Sequence, residues 1–327
     1  MLTRLKQEIF TTNNDFFEES VYEVFSFQAK HCAVYAQYLD FLRVNPARVQ
    51  QLHQIPFLPI RFFKTHDVLA EGMHAQHTFL SSSTTGTGQS RHLAADLGVY
   101  ENSFNKGFEL FYGVPQEYCI LALLPGYLER TGSSLVYMAD KLKQQSGHAD
   151  SGFYLNDFEG LAKVIRQNEA KGQKTLLLGV SFALLDFAAQ YPMELTHTLI
   201  METGGMKGRR KEITRKELHT ELQTAFGPSA IHSEYGMTEL FSQAYSKSEG
   251  RFFCPPWMRV LVRDADDPFS YAATGKTGGI NVIDLANLYS CSFIETEDLG
   301  RKYVDGSFEV LGRLDFSEVR GCNTMVV

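Results

Sequence analysis

The sequence predicts an α/β fold, with mostly parallel strands flanked by helices and a helical N-terminal segment. Two observations carry this. First, apolar runs of strand length recur at 118–124, 175–180, 197–201, 258–262 and 279–283, and helical patterns fall between several of them, at 93–112, 157–169, 182–191 and 214–226. Strands alternating with helices build parallel sheets through crossover connections. Second, 44% of the 327 residues are apolar and 21% are charged, a balance that supplies a sizeable core and excludes a disordered chain.

The N-terminal stretch reads as helical. Asn13, Asn14 and Asp15 are N-cap candidates before Phe17, Val21, Val24, Phe25 and Gln28, which recur near helical spacing. A second helix is expected over 27–41. Pro46 closes this region, and Pro56 and Pro59 mark 55–60 as an extended link. At the other end, 301–304 and 307–311 flank Asp305-Gly306, the pattern of a β-hairpin with a tight turn. The expected organisation is a helical segment at 1–77 packed on a core at 78–315, with a short tail at 316–327.

Charge and cysteine content narrow the function. The net charge is −7 and there is no basic face, so a general nucleic-acid binder is not expected. The short cluster Lys207, Arg209, Arg210 and Lys211 reads as a solvated loop. Five cysteines at 32, 119, 254, 291 and 322 are odd in number and form no Cys-x-x-Cys, as in a chain kept reduced. No stretch has the apolar length of a signal peptide or of a membrane span, which is about 18 residues. A cytoplasmic location is expected.

The most informative stretch is Thr78-Phe79-Leu80-Ser81-Ser82-Ser83-Thr84-Thr85-Gly86-Thr87-Gly88-Gln89-Ser90-Arg91. Hydroxyls and unhindered backbone N–H groups crowd this loop, and those are the donors a polyphosphate needs at close range. Gly86 and Gly88 permit backbone geometry that a Cβ would block. Arg91 can add a charge-assisted, bidentate contact. A plain surface loop has the same composition, so the stretch alone leaves both readings open.

Other patterns carry less. Gly275-Lys276-Thr277 lacks the earlier glycine of a Walker A loop, since position 270 is Ser270. Gly179-Val180-Ser181-Phe182-Ala183 approximates a nucleophile elbow, with Ala183 where glycine should close it, which keeps a serine acyl-hydrolase using Ser181 as an outside alternative. His74 and His77 have no nearby Cys or acidic partner for a metal.

Downstream of the loop come Glu202-Thr203-Gly204-Gly205, then His232-Ser233-Glu234-Tyr235-Gly236-Met237-Thr238-Glu239, then Glu295-Thr296-Glu297-Asp298-Leu299-Gly300-Arg301, then Leu311-Gly312-Arg313-Leu314-Asp315. In this order the four motifs resemble the adenylate-forming superfamily of acyl-CoA synthetases, peptide-synthetase adenylation domains and luciferases. The resemblance covers about 78–315. Within it the chain looks most like the acyl-protein synthetases, the long-chain-fatty-acid–luciferin-component ligase family. The entry segment Ile55-Pro56-Phe57-Leu58-Pro59-Ile60-Arg61-Phe62-Phe63-Lys64 and the tail Glu318-Val319-Arg320-Gly321-Cys322-Asn323 are similar to that family's. Phenylacetate–CoA ligases are more distant.

The resemblance implies an adenylate-forming large-domain fold and roles for particular residues. Ser81, Ser82, Ser83, Thr84, Thr85, Gly86, Thr87, Gly88 and Arg91 would hold the β- and γ-phosphates of ATP. Gly204 and Gly205 would let adenine lie against the backbone, and Tyr235, with Gly236 beside it, would stack on it. Thr238 would touch the α-phosphate, Glu239 would help hold Mg²⁺, Asp298 would bind the ribose hydroxyls, and Arg313 would assist there. The chemistry suits each group: a flat ring for a purine, a carboxylate for Mg²⁺ and another for two hydroxyls. Singly, Tyr235 also fits a core aromatic, and Asp298 with Arg313 a surface ion pair.

Two departures matter. Twelve residues, 316–327, follow Asp315, so a full C-terminal lid domain and its lysine are not expected in this chain. Lys64 and Lys141 are the candidate replacements, and the sequence does not choose between them. The usual Thr-Gly-Asp also reads Thr296-Glu297-Asp298. Cys322, beside Arg320, is the candidate acyl carrier, since positive charge lowers a thiol pKa and a thioester splits one transfer into two. The expected function is ATP-dependent, Mg²⁺-assisted activation of a carboxylic acid, a fatty acid by resemblance, and acyl transfer to Cys322 or to a partner such as an acyl reductase, CoA or acyl-carrier protein. An acid–CoA ligase and a catalytically weak nucleotide-binding partner protein are the alternatives.

Overall fold

The computed structural model describes residues 2–11, 16–81, 88–125, 132–204, 213–227, 230–265, 267 and 269–313. The chain starts with helices α1 (Leu2–Glu8), α2 (Phe17–His31) and α3 (Ala33–Phe41). The apolar stripe of α2 is buried as its spacing predicts, with Phe17, Val21, Val24 and Phe25 facing the core. The helix expected over 27–41 is interrupted at Cys32. Its backbone is extended, with φ −97° and ψ 99°, and it forms an isolated bridge to Ala70.

The proline-marked link forms a short strand β1 (Leu58–Pro59), followed by α4 (Phe62–Thr65). Next comes a hairpin, β2 (His77–Leu80) and β3 (Arg91–Ala94). The helix expected from residue 93 starts later, as α5 (Leu97–Tyr112), because Asp96 caps it by accepting from the Gly98 N–H at 2.9 Å.

The alternating region follows as β4 (Cys119–Leu123), α6 (Ser134–Ser146), β5 (Gly152–Phe153), α7 (Phe158–Lys171), β6 (Thr175–Val180), α8 (Ser181–Gln190), β7 (Thr198–Thr203), α9 (Arg215–Phe226) and β8 (Ile231–Tyr235). Helix α6 and strand β8 have no counterpart among the elements expected from sequence. The chain then runs through β9 (Ala244–Ser246), β10 (Phe252–Phe253), β11 (Met258–Arg263), β12 (Thr277–Asp284), β13 (Phe293–Lys302) and β14 (Phe308–Arg313). The last two strands are joined at 303–307, where Gly306 has φ 84°, as the Asp-Gly pattern predicts.

Among the described residues twelve strands form one sheet, in the order β11-β12-β13-β14-β10-β9-β8-β7-β6-β4-β5, with β1 on β13. The run β5-β4-β6-β7-β8 is parallel and is covered by helices, and every residue of β4 and β6 is buried. From β8 to β9 onward the pairing is antiparallel, apart from β1, which lies parallel to β13. In open α/β sheets, ligands bind beyond the carboxyl ends of the parallel strands. Here that edge carries Ser181 after β6, Gly204 after β7 and Gly236 to Glu239 after β8. No helix among the described residues is long and apolar enough to cross a membrane.

The N-terminal helices are tied to the sheet by one buried polar side chain. Gln28 Nε2 donates to the carbonyls of Asn287 and Leu288, each at 3.0 Å, and its Oε1 accepts from the Ser292 N–H at 2.9 Å. Removing it leaves buried backbone groups unpaired. Gln28→Ala is expected to cost at least about 2 kcal/mol in chemical denaturation, and Lys30→Ala, on the exposed side of the same helix, about 0.5 kcal/mol or less.

Candidate active site

The Ser/Thr/Gly stretch connects β2 to β3. Its neck is closed twice: the Ser81 N–H donates to the Ser90 carbonyl at 3.0 Å, and the Ser90 N–H donates to Ser81 Oγ at 2.9 Å. Leu80 and Arg91 are cross-strand partners directly below. Ser82, Ser83, Thr84, Thr85, Gly86 and Thr87 lie outside the described residues. Gly88 has φ 85° with open space where a Cβ would sit, so its backbone conformation is what favours glycine. Arg91 pairs with Asp67 at 3.0 Å on the surface of the hairpin.

Behind the neck, β3 meets the segment after β8. Nδ1 of His92 lies 2.9 Å from the Thr238 carbonyl, and Nε2 lies 2.9 Å from Ser290 Oγ. A carbonyl can only accept, so Nδ1 carries the hydrogen and Nε2 accepts from Ser290. Burial lowers the imidazole pKa to about 4, against the pull of the Thr238 carbonyl, so the ring is neutral. It stacks on Phe241 with centroids 4.3 Å apart.

Glu239 follows Thr238 and is buried. The Ser90 side chain hydrogen-bonds its carboxylate, and Asn287 Nδ2 donates to its carbonyl at 2.8 Å. Burial raises the carboxyl pKa, opposed by Ser90 and by the charges of Arg313 and Lys64. Among the described residues no group of three or more His, Cys, Asp or Glu gathers around a metal position. The Glu239 carboxylate stands against the neck of the loop, on Ser90.

The other half lies across β8, β13 and β14. Tyr235 Oη donates to Asp298 Oδ2 at 2.9 Å. Asp298 and Arg313 are cross-strand partners, with Arg313 Nε 3.7 Å from Asp298 Oδ1. Tyr235 is buried, with its ring edge-on to Phe252 and Phe308. Burial raises the pKa of Asp298, and the Tyr235 hydroxyl and Arg313 oppose it. The Arg313 charge thus opposes the raised pKa of both Asp298 and Glu239.

Gly204 has φ 68°, and its carbonyl accepts from Ser181 Oγ at 3.0 Å. Ser181 is therefore a buried brace for the Gly204 turn. It follows β6 directly, as an elbow serine would, yet its second partner is the Glu202 carboxylate at 3.3 Å. At Gly236 a Cβ would stand 2.3 Å from Glu234 Oε1. Of the two lysines weighed from sequence, Lys141 pairs with Glu101 at 2.9 Å, whereas Lys64 has no ion pair among the described residues. Gly205, the Lys207–Lys211 cluster, Asp315 and Cys322 lie outside the described residues.

Several supporting residues were not legible from sequence. Asp284 accepts from the Phe241 N–H at 2.9 Å, the Ser242 N–H at 2.8 Å and Ser242 Oγ at 2.6 Å, which holds the segment after Glu239. His92, Ser90, Asn287, Glu202 and Arg215 also act across long sequence separations. The one local signal was Asp284 and Asn287 closing an apolar strand, a polar pair that a core position does not ordinarily carry.

No family model matches the sequence, and no curated protein matches it. Solved structures do match by fold. 2-Hydroxyisobutyryl-CoA ligase, in complex with 2-HIB-AMP and CoA in the thioesterification state, aligns with TM-score 0.66 and 12% identity, over 90% of this chain and 67% of the ligase. ATP-bound MatB from Rhodopseudomonas palustris aligns with TM-score 0.55 and 16% identity, over 72% of this chain and 47% of MatB. The luciferase-like enzyme of the nonluminescent mealworm Zophobas morio gives TM-score 0.50 and 14% identity, over 73% and 57%. At these identities the likeness is one of fold. The chain has the fold of the large domain of adenylate-forming acid ligases, and it spans about half the length of MatB.

One carboxyl at this edge is poised to titrate. Glu234 is buried between Thr203, whose hydroxyl donates to it, and Glu202. Burial pushes its pKa up from 4.5 to about 7, and the Thr203 bond only partly offsets this. A raised acid pKa means the folded state holds a proton that the unfolded state has lost. That contribution is full below about pH 4.5 and is lost as pH rises through about 7. Glu234→Gln is therefore expected to be near neutral at pH 5 and to stabilise by about 2–3 kcal/mol at pH 8, read by urea denaturation at both pH values.

Proposed function

We propose that the protein activates a carboxylic acid, a fatty acid in the first instance, as an acyl-adenylate. The observation that carries this is the meeting of two half-sites at the carboxyl edge of β7 and β8. Ser90, at the hairpin neck, bonds Glu239, Tyr235 and Arg313 hold Asp298, and the Arg313 charge opposes the raised pKa of both carboxyls. This fits a nucleoside triphosphate with its phosphates on the loop and its ribose at Asp298.

In the reaction, a carboxylate oxygen of the acid attacks the α-phosphorus of ATP. The bond from that phosphorus to the bridging oxygen breaks, and pyrophosphate leaves with the electron pair. Loop hydroxyls and N–H groups from Ser81 to Gly88 would hold the β- and γ-phosphates, and Thr238 would touch the α-phosphate. Such positioning and charge neutralisation are the main sources of catalysis in phosphoryl chemistry. Magnesium, held through Glu239, would neutralise phosphate oxygens. Lys64 has no ion pair among the described residues and its charge acts on Glu239, so it is the better candidate of the two lysines for the developing negative charge.

The acyl-adenylate then needs a thiol. The acyl-protein synthetase reading assigns this to Cys322: its thiolate attacks the acyl carbon, the bond to the AMP oxygen breaks, and AMP departs. The thioester then passes to a partner thiol, as on an acyl reductase or a carrier. A second reading, direct transfer to CoA, is favoured by the fold likeness to 2-hydroxyisobutyryl-CoA ligase over 90% of the chain.

Acid-dependent ATP–pyrophosphate exchange tests the first step. Lys64→Met is expected to lower the exchange rate about 10–100-fold, and Lys141→Met less than about twofold; equal effects would remove Lys64 from the reading. Labelled fatty acid with ATP should mark the protein through a hydroxylamine-sensitive bond, and Cys322→Ser should lose the mark and keep exchange. Full CoA-dependent turnover by Cys322→Ser would select the CoA reading.

A further inference from the structure

Glu202 lies at the end of β7, two residues before Gly204, and its carboxylate is buried. A buried carboxylate needs a cation or several donors. Arg215, the first residue of α9, supplies one: its Nε donates to Glu202 Oε1 at 2.9 Å. His219, one turn further on, places Nε2 3.5 Å from the same oxygen. The rest of the Arg215 guanidinium reaches other strands. NH1 donates to the Val310 carbonyl on β14 at 3.0 Å, and the plane lies over the Phe252 ring at 4.9 Å. Phe252 in turn meets Tyr235 and stacks on Phe308.

One side chain thus joins the three pieces proposed to grip adenosine. Through Glu202 it fixes the turn at Gly204, where Ser181 braces the carbonyl from the other Glu202 oxygen. Through Phe252 it fixes the aromatic support of Tyr235. Through Val310 it fixes the strand on which Arg313 faces Asp298. None of these contacts reaches the hairpin that would hold the phosphates.

We propose that Arg215 is a positioning residue for the nucleoside half of the site, setting affinity for adenosine and ribose without contributing to phosphate binding. This rests on the nucleotide reading above. The planar fork and ring contact are properties of arginine that lysine lacks at equal charge. Arg215→Lys is therefore the informative variant, with Glu202→Gln as a second that removes the charge anchoring the guanidinium.

The test is calorimetric binding of ATP and, separately, of inorganic tripolyphosphate to wild type and both variants, with thermal melting alongside. Wild type should bind both ligands. Each variant should lose at least about tenfold in ATP affinity and stay within about twofold for tripolyphosphate. In pyrophosphate exchange, the KM for ATP should rise while the KM for the acid holds. Unchanged ATP affinity in Arg215→Lys, or equal losses for ATP and tripolyphosphate, would overturn the proposal. If one variant melts below the assay temperature, the other gives the same reading. Wild type that binds neither ligand would instead overturn the nucleotide reading itself.

Discussion

The site depends on one buried carboxylate. Asp284, at the end of β12, takes hydrogen bonds from the N–H groups of Phe241, Ser242 and Ala286 and from the Ser242 hydroxyl. Burial pushes its pKa up, and those donors oppose the shift. A group with four donors and no exposure has one low-energy position. It therefore sets where the chain goes after β8, and with it Thr238 and Glu239. Asn287 repeats the device by donating to the Glu239 carbonyl and receiving Gln28 on its own carbonyl. A continuous polar path runs from the N-terminal helix, through the antiparallel strands, to the carboxyl edge of the parallel ones.

That path explains how two differently built half-sheets share one site. The parallel half contributes turns, at Ser181, Gly204 and Gly236, where backbone can approach a ligand. The antiparallel half contributes side chains on paired strands, Asp298 and Arg313. His92 fastens the β2–β3 hairpin to the junction through the Thr238 carbonyl, and it does so as a neutral ring held by burial. Several ionisable groups at this junction are held away from their ordinary pKa, Glu234 and Glu239 among them, because they are buried.

The sequence made the α/β alternation legible because buried parallel strands such as β6 are apolar throughout. Strand β8 was missed for the converse reason. His232, Ser233 and Glu234 carry its middle, and partners such as Thr203 and His219 lie on other elements. The start of α5 was misplaced because Leu93 and Ala94 suit a helix by pattern, while their pairing with Thr78 and His77 is a long-range fact. For the site, motifs near strand ends were readable as strings of residues. The braces behind them were not. Ser90, Asp284, Asn287 and Arg215 owe their roles to neighbours tens or hundreds of positions away, and no spacing rule points to them. Lys64 and Lys141 were equivalent in sequence and are distinguished by the Glu101 partner of the second and the effect of the first on Glu239.

The most direct measurement follows the oxygen atoms of the acid. Incubating the protein with ATP, a thiol acceptor and fatty acid labelled at the carboxyl group with heavy oxygen, then analysing the phosphates by mass spectrometry, reports which bond forms. Attack on the α-phosphorus predicts one labelled oxygen in AMP and none in pyrophosphate. Label in orthophosphate with release of ADP would show an acyl-phosphate route and contradict the assignment of this site to adenylate formation.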